Sequence, residues 1–238
     1  MRPGAAPSLC VVLFDLDGTL VASEAKTSSA GLIAMNLAAE RLTGRRILSD
    51  SAEFAGRTDV QIAHLLLRQG GIRDPKPEQA AELVRLYVEE LARQIAVRPY
   101  FALGDPAAAV RALTAIGAII GLGTGNVPRG AEIKLSSAGI AHLFDLARGG
   151  YGDQGRDRAE VLAVGARRCD PSGKLPVVVV GDTPRDVAAA RAIAAACVGV
   201  PFFGNTAEVL RAAGADAVIP AVGAELAEVV GCLVGYPG

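Results

Sequence analysis

Four aspartates stand where this chain changes abruptly from apolar to polar. Asp15 and Asp17 follow the run Ser8-Leu9-Cys10-Val11-Val12-Leu13-Phe14, and Asp182 and Asp186 follow the equally apolar stretch from Pro176 to Val180. Such runs read as strands covered on both faces, so the acids fall at strand carboxyl ends. The two-residue repeat of extended chain would turn the Asp15 and Asp17 carboxylates to one side. Like charges that close repel, and they are tolerated when a cation lies between them or one is protonated; either arrangement belongs to a functional site. The alternative is an acidic turn or helix cap, where Asp and Gly are common. The second acidic strand end, with Pro184 placed to open a helix, brings Asp182 to the same edge and favours the site. An oxygen-rich cluster without His or Cys suits Mg²⁺. Asp186, one helical turn later, either orients a metal ligand or a metal-bound water, or is simply the acid favoured in a first helical turn.

A third strand end, Gly121-Leu122-Gly123-Thr124-Gly125-Asn126, supplies a hydroxyl among glycines. Glycines let backbone N–H groups approach an anion, and the following helix N-terminus adds a favourable dipole, so phosphate is the natural guest. The rival is a dinucleotide-binding G-x-G-x-x-G loop, against which stand Asn126, where glycine would be needed, and the fact that this strand is not the first of the fold.

The elements that must position these residues follow from periodicity. Strand-length apolar runs at Ala118–Leu122, Phe144–Ala147, Val177–Val180, Cys197–Val200 and Ala217–Ile219 alternate with helical patterns at Pro106–Ala115, Arg129–Ala138, Arg158–Arg168, Pro184–Ala195, Ala207–Ala213 and Ala224–Cys232. Strict alternation predicts an α/β fold, a doubly wound parallel sheet. Between the first strand and this block, residues from Glu24 to about Val97 repeat at helical spacing, as at Leu83, Leu86 and Leu91. The expected organisation is a Rossmann-like core of residues 1–21 and 103–238, with residues 22–102 inserted as an all-helical cap. Open α/β sheets bind ligands at the carboxyl ends of their strands, so the insertion would sit over the acids as a lid.

Composition narrows the function classes. The 238 residues carry 24 Lys and Arg against 25 Asp and Glu, a formal charge of −1, so no global field draws the chain to nucleic acid or anionic lipid. The longest apolar stretches, such as Ala112 to Gly123, stop short of the ~18 residues that a bilayer crossing needs. The run Leu9–Phe14 is too short for a signal-sequence core and ends in carboxylates, so no secretion is expected. Cys10, Cys169, Cys197 and Cys232 form no C-x-x-C pair, and with two His in the chain they read as buried thiols in a reducing cytoplasm.

Taken in order, these motifs resemble the haloacid dehalogenase superfamily of phosphohydrolases. Phe14-Asp15-Leu16-Asp17-Gly18-Thr19-Leu20 is similar to its first motif, Gly123-Thr124-Gly125-Asn126 to its second and Gly181-Asp182-Thr183-Pro184-Arg185-Asp186 to its fourth, while the helical insertion is similar to its first-type cap. For the third motif, a Lys or Arg that pairs with nucleophile and phosphate, many relatives carry Lys-Pro. This chain has Gly152-Asp153-Gln154-Gly155-Arg156-Asp157-Arg158 instead, and Arg158, which opens the next helix, is the expected equivalent. Arg156 and Lys134 are the alternatives.

The resemblance implies an aspartyl-phosphate mechanism. Asp15 would be the nucleophile. Mg²⁺ would be held by Asp15, Asp182 and the main-chain carbonyl of Asp17, with Asp186 nearby; Arg158, Thr124 and backbone N–H groups after Asp15, around Gly18, Thr19, Gly125 and Asn126, would hold the phosphoryl oxygens. Asp17 would protonate the leaving alkoxide and then accept a proton from water. Dehalogenases of the superfamily lack an Asp there, so Asp17 argues for phosphoryl transfer. Gly56-Arg57-Thr58-Asp59 resembles the specificity loop of phosphoglycolate phosphatase-like and phosphomutase-like relatives, and Arg57 would meet a substrate carboxylate unless it is a surface Arg before a helix cap. Glu24 and Lys26 are weaker candidates. The expected function is a Mg²⁺-dependent phosphatase of a small phosphorylated metabolite, phosphoglycolate or a sugar phosphate, acting as monomer or homodimer. A β-phosphoglucomutase-like phosphomutase is the alternative within the fold, and a receiver-like phosphoacceptor module the alternative outside it.

Overall fold

A computed structural model describes residues 8–23 and 29–236 of the chain. Its five-stranded sheet runs in the order β4-β1-β5-β6-β7, all parallel, with β1 Cys10–Phe14, β4 Ala118–Leu122, β5 Val177–Gly181, β6 Ala196–Gly199 and β7 Ala217–Val218. All five residues of β1 are fully buried. They alternate between two cores. Cys10, Val12 and Phe14 join a large cluster that continues into the insertion, whereas Val11 and Leu13 pack with Leu162, Val187 and Leu210 on the other face. That continuous apolar pattern is what a sheet covered on both sides requires.

Helices α5 (Pro106–Ala115), α6 (Pro128–Ser137), α7 (Arg158–Cys169), α8 (Pro184–Ala192), α9 (Ala207–Ala213) and α10 (Leu226–Leu233) complete the doubly wound core. The chain leaves β4 on one side of β1 and returns as β5 on the other, so β1 is where the strand order reverses and a crevice opens. Register levels the strand ends. Phe14 lies opposite both Leu122 and Val180, so Asp15, Gly123 and Gly181 emerge side by side.

Among the described residues, four helices lie between the halves of the core: α1 (Ala30–Thr43), α2 (Ser51–Phe54), α3 (Asp59–Gln69) and α4 (Pro77–Gln94). The insertion is not all-helical. Its entry and exit form a two-stranded antiparallel ribbon, β2 (Val21–Ser23) with β3 (Tyr100–Ala102), pairing Ser23 with Tyr100. Three-residue strands carry too little periodicity to be read from sequence.

Two further expectations are corrected. Phe144–Ala147 is not a strand. Single 3₁₀ turns at Ala141–Leu143 and Leu146–Arg148 occupy the region, because the Asp145 carboxylate accepts the Ala147 N–H at 3.0 Å and tightens the chain. Cys10, Cys169 and Cys197 are buried, but Cys232 is exposed, turned off the buried face of α10 that Leu226, Ala227 and Val230 form. All four are free thiols. Among the described residues no helix is long and apolar enough to cross a membrane.

Candidate active site

Asp15 continues the β1 ladder by donating its N–H to Val180 O at 2.9 Å, which fixes its Cα at the sheet's edge. Its carboxylate is buried against one cation, Arg158, whose Nη2 lies 2.6 Å from Asp15 Oδ1. Arg158 opens α7, with Asp157 as N-cap accepting from Glu160 N. Its guanidinium also donates through Nε (3.0 Å) and Nη2 (2.7 Å) to Asp186 Oδ1. Asp186 Oδ2 accepts the Thr183 N–H and hydroxyl, closing a capping box at the start of α8. Both oxygens of Asp186 are thus occupied, and it orients Arg158 towards Asp15. The helix-cap role expected for this residue is present, and the same carboxylate also holds Arg158.

Asp182 differs. It is 5% exposed, and its Oδ1 has no partner among the described residues. One oxygen each from Asp15, Asp182 and Asp186 lie within 4.8 Å of one another. Burial, then Asp186 and Asp15, raise the Asp182 carboxyl well above its ordinary value. Burial likewise lifts Asp15 to about 6, with Arg158 opposing and Asp186 adding to the rise. An orphaned buried oxygen among crowded carboxylates is the donor set of a hard divalent cation. Gly18 makes the crowding possible. With φ +85° it takes a conformation that L side chains avoid, and a Cβ there would stand 2.3 Å from Asp182 Oδ2.

Around Asp15 lie unused donors. Among the described residues nothing accepts the N–H of Leu16, Asp17 or Gly125. The buried Thr124 hydroxyl accepts from Asn126 N and Nδ2, which leaves its own proton to give. An anion placed there would be met from several sides. The N–H groups of Gly18 and Thr19 are taken instead by Val21 O and Leu16 O, and the Thr19 side chain is fully buried, outside the cavities around the site.

Asp17 lines the same cavity as Asp15 in different company. Its Oδ2 accepts from Lys134 Nζ at 2.6 Å and from Asn126 Nδ2 at 2.8 Å, while the side chain stays 44% exposed. Lys134 therefore meets Asp17, not Asp15, and Arg156 is 90% exposed and paired with Glu160. Of the three basic candidates only Arg158 touches Asp15. Burial alone would pull the Lys134 ammonium down, but Asp17, Tyr100, Tyr87 and Asp59 outweigh it and hold it well above its usual value.

The insertion closes the other wall. Asp59, first residue of α3, gives its N–H to Gly125 O and takes the Val127 N–H on Oδ2, both at 2.8 Å. Gly125 permits this, since a Cβ would come within 2.3 Å of Arg57 O. Gln61 reaches Arg156 O at 3.2 Å, and Arg185 bonds to Ala55 O. Arg57 is half-buried at the cavity, its Nε on Glu53 O at 2.8 Å, and among the described residues no carboxylate pairs with it. Glu24 and Lys26 lie outside the described residues. The cavity so enclosed has a volume of about 200 Å³ and is walled on the insertion side by Leu32, Met35, Phe54, Ile62 and Tyr87. A larger space of about 490 Å³ adjoins it, sharing Asp17, Ser29, Ala55, Tyr100 and Asp182. Sequence reasoning missed Asp59 and Tyr100. The first stood within the quoted Gly56–Asp59 loop, where its place at a helix start was a signal; the second had none.

Residues 11–194 match the family model described as haloacid dehalogenase-like hydrolase. The chain belongs to that family. Among solved structures, this haloacid dehalogenase-like hydrolase is similar to CbbY from Rhodobacter sphaeroides in complex with phosphate, at 20% identity and TM-score 0.69, covering 92% of this chain and 96% of that one. It is similar also to β-phosphoglucomutase from Clostridium difficile, at 16% identity and TM-score 0.67, covering 95% and 97%. A predicted phosphoglycolate phosphatase from Haemophilus somnus matches at 17% identity and TM-score 0.64, covering 95% and 100%. No curated protein matches in sequence. The fold of the hydrolase is thereby shared over more than nine-tenths of the chain.

Proposed function

We propose that this hydrolase is a Mg²⁺-dependent phosphatase of small phosphate monoesters, working through an aspartyl-phosphate on Asp15 beneath a cap formed by residues 22–102. The observation that carries the reading is the surrounding of Asp15: one buried guanidinium on Oδ1, an orphaned carboxylate oxygen on Asp182, and N–H and hydroxyl donors without acceptors. The phosphate bound in the CbbY structure agrees with such a guest.

Mg²⁺ would be held by Asp15, Asp182 and the Asp17 carbonyl, with Asp186 behind them, and would offset the repulsion between carboxylate and phosphate. Asp15 attacks phosphorus as the bond to the leaving oxygen breaks. Arg158, Thr124 and the free N–H groups take the charge that develops on the phosphoryl oxygens. Asp17, which Asn126 and Lys134 hold at the cavity wall, gives a proton to the departing alkoxide and takes one from the water that then releases phosphate. Arg57, a cation with no carboxylate of its own among the described residues, suits a substrate bearing a second anionic group. Free, unbridged thiols fit a reducing cytoplasm.

The test is a screen of phosphoglycolate, sugar phosphates and nucleotides with and without Mg²⁺. Release of many equivalents of phosphate, lost on chelation and restored by Mg²⁺, is the expected result. One equivalent of stable labelling would instead mark a phosphoacceptor, and transfer to a second sugar hydroxyl a phosphomutase. If phosphoglycolate is among the substrates, Arg57→Ala raises its KM about tenfold, the ~1.4 kcal/mol of one charge-assisted contact, and spares p-nitrophenyl phosphate.

A further inference from the structure

Lys134 is a buried cation to which the phosphatase reading gives no part beyond holding Asp17 at the cavity wall. It sits on α6, 4% exposed, and its ammonium reaches Asp17 Oδ2 at 2.6 Å with the Tyr100 ring centroid 5.4 Å away. Asn126 Nδ2 meets the same oxygen. Both donors converge on Oδ2 and neither bonds to Oδ1, so the carboxylate of this cavity-lining residue is gripped by one edge. Stability does not explain this grip. A carboxylate 44% exposed is already solvated, whereas stripping water from an ammonium is costly.

The walls of the ammonium's chamber come from the insertion and its hinge. Tyr100 lies on β3 and its hydroxyl oxygen accepts the Gly31 N–H on α1 at 3.2 Å, and Tyr87 of α4 and Asp59 of α3 line the same cavity. The chamber is complete only with the insertion seated on the core.

We infer that Lys134 is a positioning residue for proton transfer, which fixes Asp17 with Oδ1 turned to the leaving-group oxygen once the insertion is docked. This rests on the phosphatase reading and adds to it a residue that touches neither phosphate nor Asp15. A contact that aims a proton donor matters in proportion to the proton the leaving group needs.

The experiment compares Lys134→Met and Lys134→Gln with the native protein, using p-nitrophenyl phosphate and the alkyl phosphate best turned over in the screen. Lys134→Met lowers kcat for the alkyl ester about tenfold more than for the nitrophenyl ester, a ratio that a general loss of structure does not move. Lys134→Gln, neutral but still a donor, recovers part of that ratio. Adding Lys134→Met to Asp17→Asn lowers the ratio no further than Asp17→Asn alone. Equal losses on both esters, in whichever variant folds, overturn the inference and leave the phosphatase reading standing. A native protein that hydrolyses neither ester overturns both.

Discussion

Asp15 and Asp17 leave the same strand two residues apart, line one cavity, and are treated in opposite ways by the fold. Asp15 is sunk among carboxylates with a single guanidinium for relief, so burial and its neighbours lift it to about 6 and its charge calls for a cation. Asp17 stays half in solvent and receives an ammonium and an amide on one oxygen. Under the proposed function, crowding makes one a group that would gain from bonding to phosphorus beside a metal. Two donors on one edge make the other a carboxylate of fixed aim. The division of labour is thus set by neighbours brought from α6, α7 and α8, not by the two aspartates themselves.

The comparison breaks first at Asp15. Asp15→Asn removes the nucleophile and one oxygen of the acidic cluster together, and turnover falls by about 10⁴-fold or more, to be measured as phosphate release at saturating Mg²⁺. A residual rate within tenfold of native would end the nucleophile assignment. Asp17→Asn sharpens the contrast, costing on the order of 10²–10⁴-fold on alkyl phosphates and far less on p-nitrophenyl phosphate, whose leaving group needs little protonation. Equal losses there would remove the acid–base role.

Arg158 tests what holds the Asp15 side together. Its guanidinium joins both Asp15 and Asp186, and Arg158→Ala strands two buried carboxylates. We expect a loss of about 3–5 kcal/mol, read from urea unfolding without metal, with Mg²⁺ restoring part of it. Lys in its place keeps the charge without the fork that reaches both acids and falls between.

How much of this was legible in the sequence follows from how local each signal is. Asp15, Thr124 and Asp182 each close an apolar run of strand length, so parallel register alone sends them to one edge. Arg158 stood out only as the first residue of a helix; that it, and not Arg156, turns inward is fixed by the buried Asp186 carboxylate that holds it. The Asp17 side was largely hidden. Lys134, Tyr100, Tyr87 and Asp59 come from α6, β3, α4 and α3, and nothing in their local patterns says that they share a chamber. The hinge ribbon was hidden too, because β2 and β3 are held by each other rather than by their own periodicity.

A last effect separates the two sides by pH. Burial lifts Asp59 to about 7 from the usual 3.8, although Lys134 and the Val127 N–H oppose it. A folded state that binds the proton more tightly than the unfolded chain is most favoured below the unfolded value, and that advantage is lost as pH rises through the folded one. Between about pH 4 and pH 7 the native protein should therefore lose stability that Asp59→Asn does not lose. Asn can still accept the Val127 N–H, so the variant should match the native protein near pH 4 and melt about 10 °C higher at pH 8, because a carboxyl lifted from 3.8 to about 7 is worth ~4 kcal/mol and each kcal/mol moves the midpoint by about 2–4 °C for a chain of this size. Asp15 and Asp182 are lifted in the same direction, and Mg²⁺ held as proposed by their acidic cluster would offset their share. Asp59 lies outside that cluster, so the gap between variant and native protein should persist in Mg²⁺. Thermal melts of both proteins from pH 4 to pH 8, with metal and with chelator, decide it: a gap that closes on adding Mg²⁺ would place Asp59 on the Asp15 side of the site, and a gap independent of pH would deny it a buried charge.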